Sequence, residues 1–301
     1  MTKTQAGLNR RKGHLAMLAF SCLVAGSFSL GGLAMKTGTI SPVAFNGVRF
    51  LIAVCAVGVL AMSTGGIKRE AMQAPWRYGI LGGLFALYFI MMFEGLKTAP
   101  PVSTSALFTL TPVLSAIFGY FIMRQITTKR IALALSVGAV GALWVIFRAD
   151  LSAFLAFEVG RGEMIYFIGV VAHAIYTPLV PRFSRGERAP VFIFFVLIAT
   201  TLVVLAFGAS DIVATDWANL PSIVWVAMAY TAIAATTFTA TLLTFASVRL
   251  DSAKVMAYTY LTPSWVILWE IALGNGVPPA LIFVGIGLTI LALYLLLKHE
   301  E

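Results

Sequence analysis

Residues Tyr258–Glu270 read YTYLTPSWVILWE and bring polar-tipped aromatic rings, a proline and a carboxylate into one short stretch. On a helix turning about 100° per residue, Tyr258, Thr262, Trp265 and Trp269 share one stripe, and Thr259, Pro263, Val266 and Glu270 share the next. Tyr166, Gly169, His173 and Tyr176 align in the same way. Tyr230, Ala234, Thr237, Thr241 and Thr244 form a hydroxyl-bearing stripe, and Phe85, Phe89, Met92 and Phe93 lie close together. Aromatic walls with a few polar tips suit a small solute that is partly flat and apolar. The chemistry on offer is binding, and the candidate central-cavity residues are Tyr166, His173, Tyr176, Tyr258, Thr262, Trp265, Phe89, Tyr230 and Thr237. Helix packing competes with this, because hydroxyls let membrane helices approach and can bond their own backbone. For the threonine stripe packing and pathway lining stand level, and for the phenylalanines packing or lipid contact stands first.

His173, Glu94 and Glu270 are the titratable groups that could couple a proton to movement of a solute. Interfacial exposure competes for the two glutamates, and a hydrogen-bonded core role competes for His173. Reaction chemistry has little to build on. Cys22 and Cys55 lie in apolar runs without metal or redox spacing, and His14, His173 and His299 are scattered. GxSxG, HExxH and nucleotide-binding fingerprints are absent. A non-enzymatic protein with no cofactor and no metal is therefore expected. An intramembrane enzyme built on His173 is the alternative from another class.

The elements that must position these residues are membrane helices. Of the 301 residues 60% are hydrophobic and 11% charged, and mean hydropathy is +0.94, whereas soluble domains carry about 25% charged residues. A crossing needs roughly 20 apolar residues. Ten such runs are expected, at 13–36, 41–63, 74–97, 101–123, 128–147, 163–182, 189–208, 221–248, 252–273 and 279–298. The first follows Arg10, Arg11 and Lys12, is too long for a signal sequence, and is read as a retained helix. Sixteen of the 21 Lys and Arg residues fall on the side of the N-terminus, and four (Lys36, Lys97, Arg148 and Arg161) on the other. That asymmetry predicts cytoplasmic termini in a bacterial-type inner membrane. It also accounts for the net charge of +9 without a nucleic-acid partner. The expected partners are the lipid bilayer and a small-molecule substrate, and nothing in the sequence requires an oligomer.

Leu110-Thr111-Pro112 recurs as Leu261-Thr262-Pro263, and Ala106 matches Ala257 at the same offset. Phe93-x-x-Leu96-Lys97 parallels Phe245-x-x-Val248-Arg249, Pro42-Val43 pairs with Pro190-Val191, and Gly13 with Gly162. Taken in order, these echoes predict an all-α membrane protein of ten transmembrane helices as two five-helix repeats, 1–155 and 156–301. Five is odd, so the second repeat enters the bilayer inverted. Two such units can exchange conformations and so alternate an opening between the two sides. Pro112 and Pro263 each remove a backbone donor, so kinks are expected that free the carbonyls of Phe108 and Thr259. Arg49, roughly 12 Å into its run at 1.5 Å per residue, is read first as a structural charge between helices and second as an anion-binding group.

The ten-run plan, the two LTP motifs, Lys97 and Asn46-Gly47-Val48-Arg49-Phe50 together resemble the drug/metabolite transporter superfamily, EamA branch. Nearly the whole chain is covered. The richness in aromatics resembles the aromatic amino-acid exporters of the YddG type. The chain departs from the family pattern at Gln125 and Asn275, where a glutamate is common, and at Leu197, an apolar counterpart of Arg49. The resemblance implies a carrier that exports small metabolites, most readily aromatic or hydrophobic amino acids, by alternating access. An uncoupled carrier is preferred, because an accumulated metabolite leaves down its own gradient. Proton-driven export of other metabolites or drugs is the alternative.

Overall fold

The computed structural model describes residues 3–152, 159–247, 249–250 and 252–298. The expected boundary between the halves at 155/156, and Val248 and His299, lie outside the described residues. Among the described residues the regular structure is helical. Helices α1 (Lys3–Lys36), α2 (Pro42–Ser63) and α3 (Trp76–Gly95) follow the first three apolar runs. The fourth run is broken into α4 (Pro101–Phe108) and α5 (Thr111–Met123), and α6 (Lys129–Ile146) follows. The second half contains α7 (Arg161–Phe183), α8 (Ala189–Ala214), α9 (Ser222–Ala232), α10 (Thr239–Ser247), α11 (Ser252–Ala257), α12 (Thr262–Ala272) and α13 (Ile282–Leu297).

Among the described residues eight helical segments are long and apolar enough to cross a membrane. The tenth expected run forms the shorter apolar helix α13, and the ninth is divided between α11 and α12. Local sequence explains the ends. Ser41 caps α2 through the amide of Ala44, with Pro42 in the first turn, and Thr128 caps α6 through the amide of Ile131. The seventh run extends past the expected residue 208 to Ala214 and takes in Asp211. No Gly or Pro intervenes after Gly208, and the Thr215 hydroxyl and the Trp217 indole donate to the carbonyls of Asp211 and Ile212 at the helix end.

The prolines act differently from expectation. Neither kinks a continuous helix. Pro112 and Pro263 lie in the first turns of α5 and α12. The preceding helix has already ended in tight turns: Thr109 and Leu110 donate to the carbonyls of Ala106 and Leu107, and Tyr258–Leu261 form a 3₁₀ turn. Proline fits a first turn because that amide has no intrahelical acceptor in any case.

The helices pack in pairs that survive exchange of the two halves. Number the apolar runs one to ten. The first packs on the eighth and ninth, as the sixth packs on the third and fourth. The second packs on the eighth, as the seventh packs on the third, while second with seventh, fourth with ninth and fifth with tenth map onto themselves. Glycines permit the closest approaches. A Cβ on Gly13 would lie 2.9 Å from Leu250 Cγ, and one on Gly162 would lie 2.6 Å from Thr98 Oγ1. The sequence echo that pairs Gly13 with Gly162 and Arg249 with Lys97 thus reappears as two equivalent contacts.

Candidate functional site

The aromatic side chains of α7 meet those of α3, α4 and α1 in the interior. The His173 ring centroid lies 4.5 Å from Tyr88, 5.7 Å from Phe108 and 5.8 Å from Tyr176. The Tyr166 hydroxyl donates to that of Tyr88 over 3.3 Å. Phe28 closes one side, 6.0 Å from Phe108 and 6.2 Å from Tyr166. Phe85 lies 5.2 Å from Tyr176. These rings form one aromatic enclosure, and Tyr166, His173 and Tyr176 all belong to it. Tyr88, Phe28 and Phe108 belong to it as well, although the stripe patterns did not single them out. Tyr88 carried a usable signal: it is a polar-tipped aromatic deep in a run, the criterion that selects Tyr166.

Several polar atoms of the interior have no hydrogen-bond partner. His173 Nδ1, Ser29 Oγ, Thr111 Oγ1, Thr262 Oγ1 and Ser264 Oγ are buried with no hydrogen bond. Thr111 and Thr262 are the threonines of the two LTP motifs, and each stands where its run is broken. Buried polar groups are nearly always satisfied, so these unpartnered hydroxyls distinguish the two breaks from ordinary helix packing.

The ninth-run stripe is placed elsewhere. Trp265 Nε1 donates to Ser21 Oγ over 3.0 Å, Trp269 Nε1 to the Cys22 carbonyl over 3.3 Å, and the Tyr258 hydroxyl shares a 2.9 Å hydrogen bond with His14 Nδ1. Tyr230 donates to the Leu23 carbonyl over 3.0 Å and lies 5.6 Å from Trp269. Tyr258, Trp265 and Tyr230 therefore spend their polar tips on α1, the helix that also carries Phe28. The eighth-run stripe is also displaced. A π turn at Ile233–Phe238 inserts an extra residue, and the Thr237 hydroxyl donates five residues back to the Ala232 carbonyl. Tyr230 and Thr237 consequently no longer share a face. Thr241 and Thr244 line an apolar cavity of about 230 Å³ with Val57, Leu60, Pro190 and Ile193.

Among the charges, Glu94 pairs with Lys97 over 2.7 Å at the end of α3, with both side chains 38% exposed. Glu270 is 9% exposed. One carboxylate oxygen accepts from Asn275 over 2.9 Å, and the other has no partner. Glu163, absent from the candidate set, is buried at the start of α7 and accepts from Ser103 Oγ over 2.9 Å. Arg49 is 0% exposed. It donates to Thr236 Oγ1 over 3.1 Å and to Asn46 Oδ1 over 3.4 Å, and its guanidinium carbon lies 3.9 Å from the centre of the Phe89 ring. Among the described residues no His, Cys, Asp and Glu cluster could hold a metal ion.

With the geometry in view, comparison with known proteins gives the family. The chain matches the EamA-like transporter family twice, over residues 11–147 and again over 160–298. It belongs to that family and is a multi-pass integral membrane protein, and its description as a transporter rather than an enzyme follows from the family. A protein of Bacillus subtilis (strain 168), described as an uncharacterized transporter, YyaM, is 28% identical over 224 residues, which span 73% of this chain and 72% of that protein. A crystal structure of another protein superposes with a TM-score of 0.67 at 19% identity, covering 96% of both chains, and so shares the fold.

Proposed function

We propose that this chain exports aromatic or hydrophobic amino acids across a bacterial-type inner membrane by alternating access, without coupling to an ion. It is of the YddG type in substrate class, with both termini cytoplasmic and ten crossings arranged as two inverted repeats. The observation that carries the substrate class is the enclosure of Tyr88, Phe108, Tyr166, His173 and Tyr176, whose rings match a flat side chain. The exchange-symmetric packing supports two interconvertible halves. The test is efflux from proteoliposomes loaded with labelled amino acids. Saturable efflux is expected, with phenylalanine, tyrosine and tryptophan preferred over lysine and glutamate. Preference for the charged solutes would remove the aromatic-wall reading.

One observation favours proton exchange as a second reading: His173 Nδ1 and Glu270 Oε1 are buried without partners. Under that reading an imposed pH gradient drives flux, and His173→Gln or Glu270→Gln uncouples it. In the preferred reading efflux follows the amino-acid gradient alone.

A further inference from the structure

We infer that Arg49 is the recognition site for the carboxylate of the transported solute, with the Phe89 ring holding its place when no solute is bound. This rests on the reading of the chain as an amino-acid carrier and adds the group that anchors the solute.

The guanidinium is fully buried at mid-helix, and its neighbours do not neutralise it. Among the described residues no carboxylate pairs with it. Its neutral partners are the Thr236 hydroxyl and the Asn46 side-chain oxygen, itself fixed by an Asn46 Nδ2 bond of 2.9 Å to the Pro42 carbonyl. Nε donates to nothing. A buried cation inside a membrane domain ordinarily has an anion or a wet cavity beside it. Here the remaining contacts are ring faces: Phe89 at 3.9 Å, Phe50 at 5.3 Å and Phe93 at 5.7 Å. A ring face is a weak substitute for a carboxylate, which meets the guanidinium fork with two parallel, charge-assisted hydrogen bonds.

Phe89 also joins this cation to the enclosure. Its ring lies 4.6 Å from Tyr88 and 4.8 Å from Phe85, and Phe85 lies 5.2 Å from Tyr176. One ring therefore stands between the guanidinium and the aromatic walls. Rotation of Phe89 away from Arg49 would let a solute place a flat side chain among Tyr88, His173 and Tyr176 and its carboxylate on Arg49. Thr236, whose hydroxyl oxygen accepts from the guanidinium, belongs to the π turn of the eighth run, and such turns often occur at functional sites. Carboxylate binding at this position would thus engage the second and eighth runs together.

The experiment is inhibition of labelled-solute efflux by matched pairs: phenylalanine and phenylalaninamide, leucine and leucinamide. In the unmodified protein each amide is expected to inhibit about tenfold or more less well than its acid, because the guanidinium is left unpaired. Arg49→Lys retains part of that preference, and Arg49→Gln loses it while ring preference persists. Acid and amide inhibiting equally in the unmodified protein would overturn the inference, whatever happens to the variants. The two readings fail separately. Acids preferred without any preference for rings would sink the aromatic substrate class and leave Arg49 standing. Rings preferred without any preference for acids would do the reverse.

Discussion

Glu187 and Arg77 show how much one pair can carry at the edge of the bundle. Their side chains are 7% and 1% exposed and form an ion pair. Arg77 also donates to the Phe183 carbonyl over 2.7 Å and to the Tyr78 hydroxyl over 2.9 Å, which passes the network to the Ala71 carbonyl. Burial pushes the Glu187 carboxyl up, but Arg77 and the amides of Arg185 and Glu187 outweigh it and hold it at about 2. A depressed carboxyl stabilises the fold fully above its ordinary range near 4.5, and that contribution fades as pH falls toward about 2. Glu187→Gln is therefore expected to lower stability by about 2 kcal/mol at neutral pH. That is less than the 3–5 of a deeply buried pair, because Arg77 keeps its carbonyl partners and the loop borders water. Melting in detergent across pH 7 to 3 checks it: the gap between the two proteins should stay constant down to about pH 5 and then close. This pairing was not legible in the sequence, where both residues count only as charges on one side of the membrane. Arg49 was half legible: its depth could be counted, but its contact with Thr236, 187 residues away, depends on how the helices dock.

Helix positions could be read closely because long apolar runs report themselves, and α2 through α7 fall within a few residues of expectation. What the sequence concealed is where a run departs from α geometry. The π turn at Ile233–Phe238 rotates every later residue of its run, and the turns before Pro112 and Pro263 replace kinks with new helix starts. A stripe drawn at a constant angle fails at such a break, which is why Tyr230 and Thr237 were grouped and then found apart, whereas Tyr258 and Trp265 both reach α1. Close packing is the other hidden property of an element, and glycines reveal it. A Cβ on Gly95 would lie 2.6 Å from the Gly162 carbonyl, whereas one on Gly83 meets nothing within 4 Å. Gly95→Ala must wedge α3 from α7 and is expected to lower stability by about 1–3 kcal/mol. Gly83→Ala, helical and unobstructed, should be neutral or stabilising by up to about 1 kcal/mol. Equal melting temperatures for the two variants would show that α3 and α7 do not depend on this approach.

Across the whole molecule, the repeated LTP motifs and glycine pairs reflect one packing scheme used twice, and the two ends of the bundle are closed by different chemistry. At one end Ala71 and Val191 are buried in a shared apolar cluster beside the Arg77–Glu187 pair, and Arg188 donates to the Gly65 carbonyl over 2.8 Å. At the other end Ser103 donates to Glu163 across the α4–α7 contact, and Gly95 meets Gly162. Each closure joins the first half of the chain to the second, so each must part if a solute is to leave through that end. Cysteine pairs can test this in a protein from which Cys22 and Cys55 have been removed by substitution with alanine. Ala71→Cys with Val191→Cys would staple the first end, and Ser103→Cys with Glu163→Cys the second. A carrier that opens each side in turn requires both closures to release in every cycle, so oxidation of either pair is expected to stop efflux and reduction to restore it. A channel opening through one fixed gate would be blocked by a single staple and indifferent to the other. Efflux that persists with one end verifiably cross-linked would therefore exclude alternating access, whichever end that proved to be.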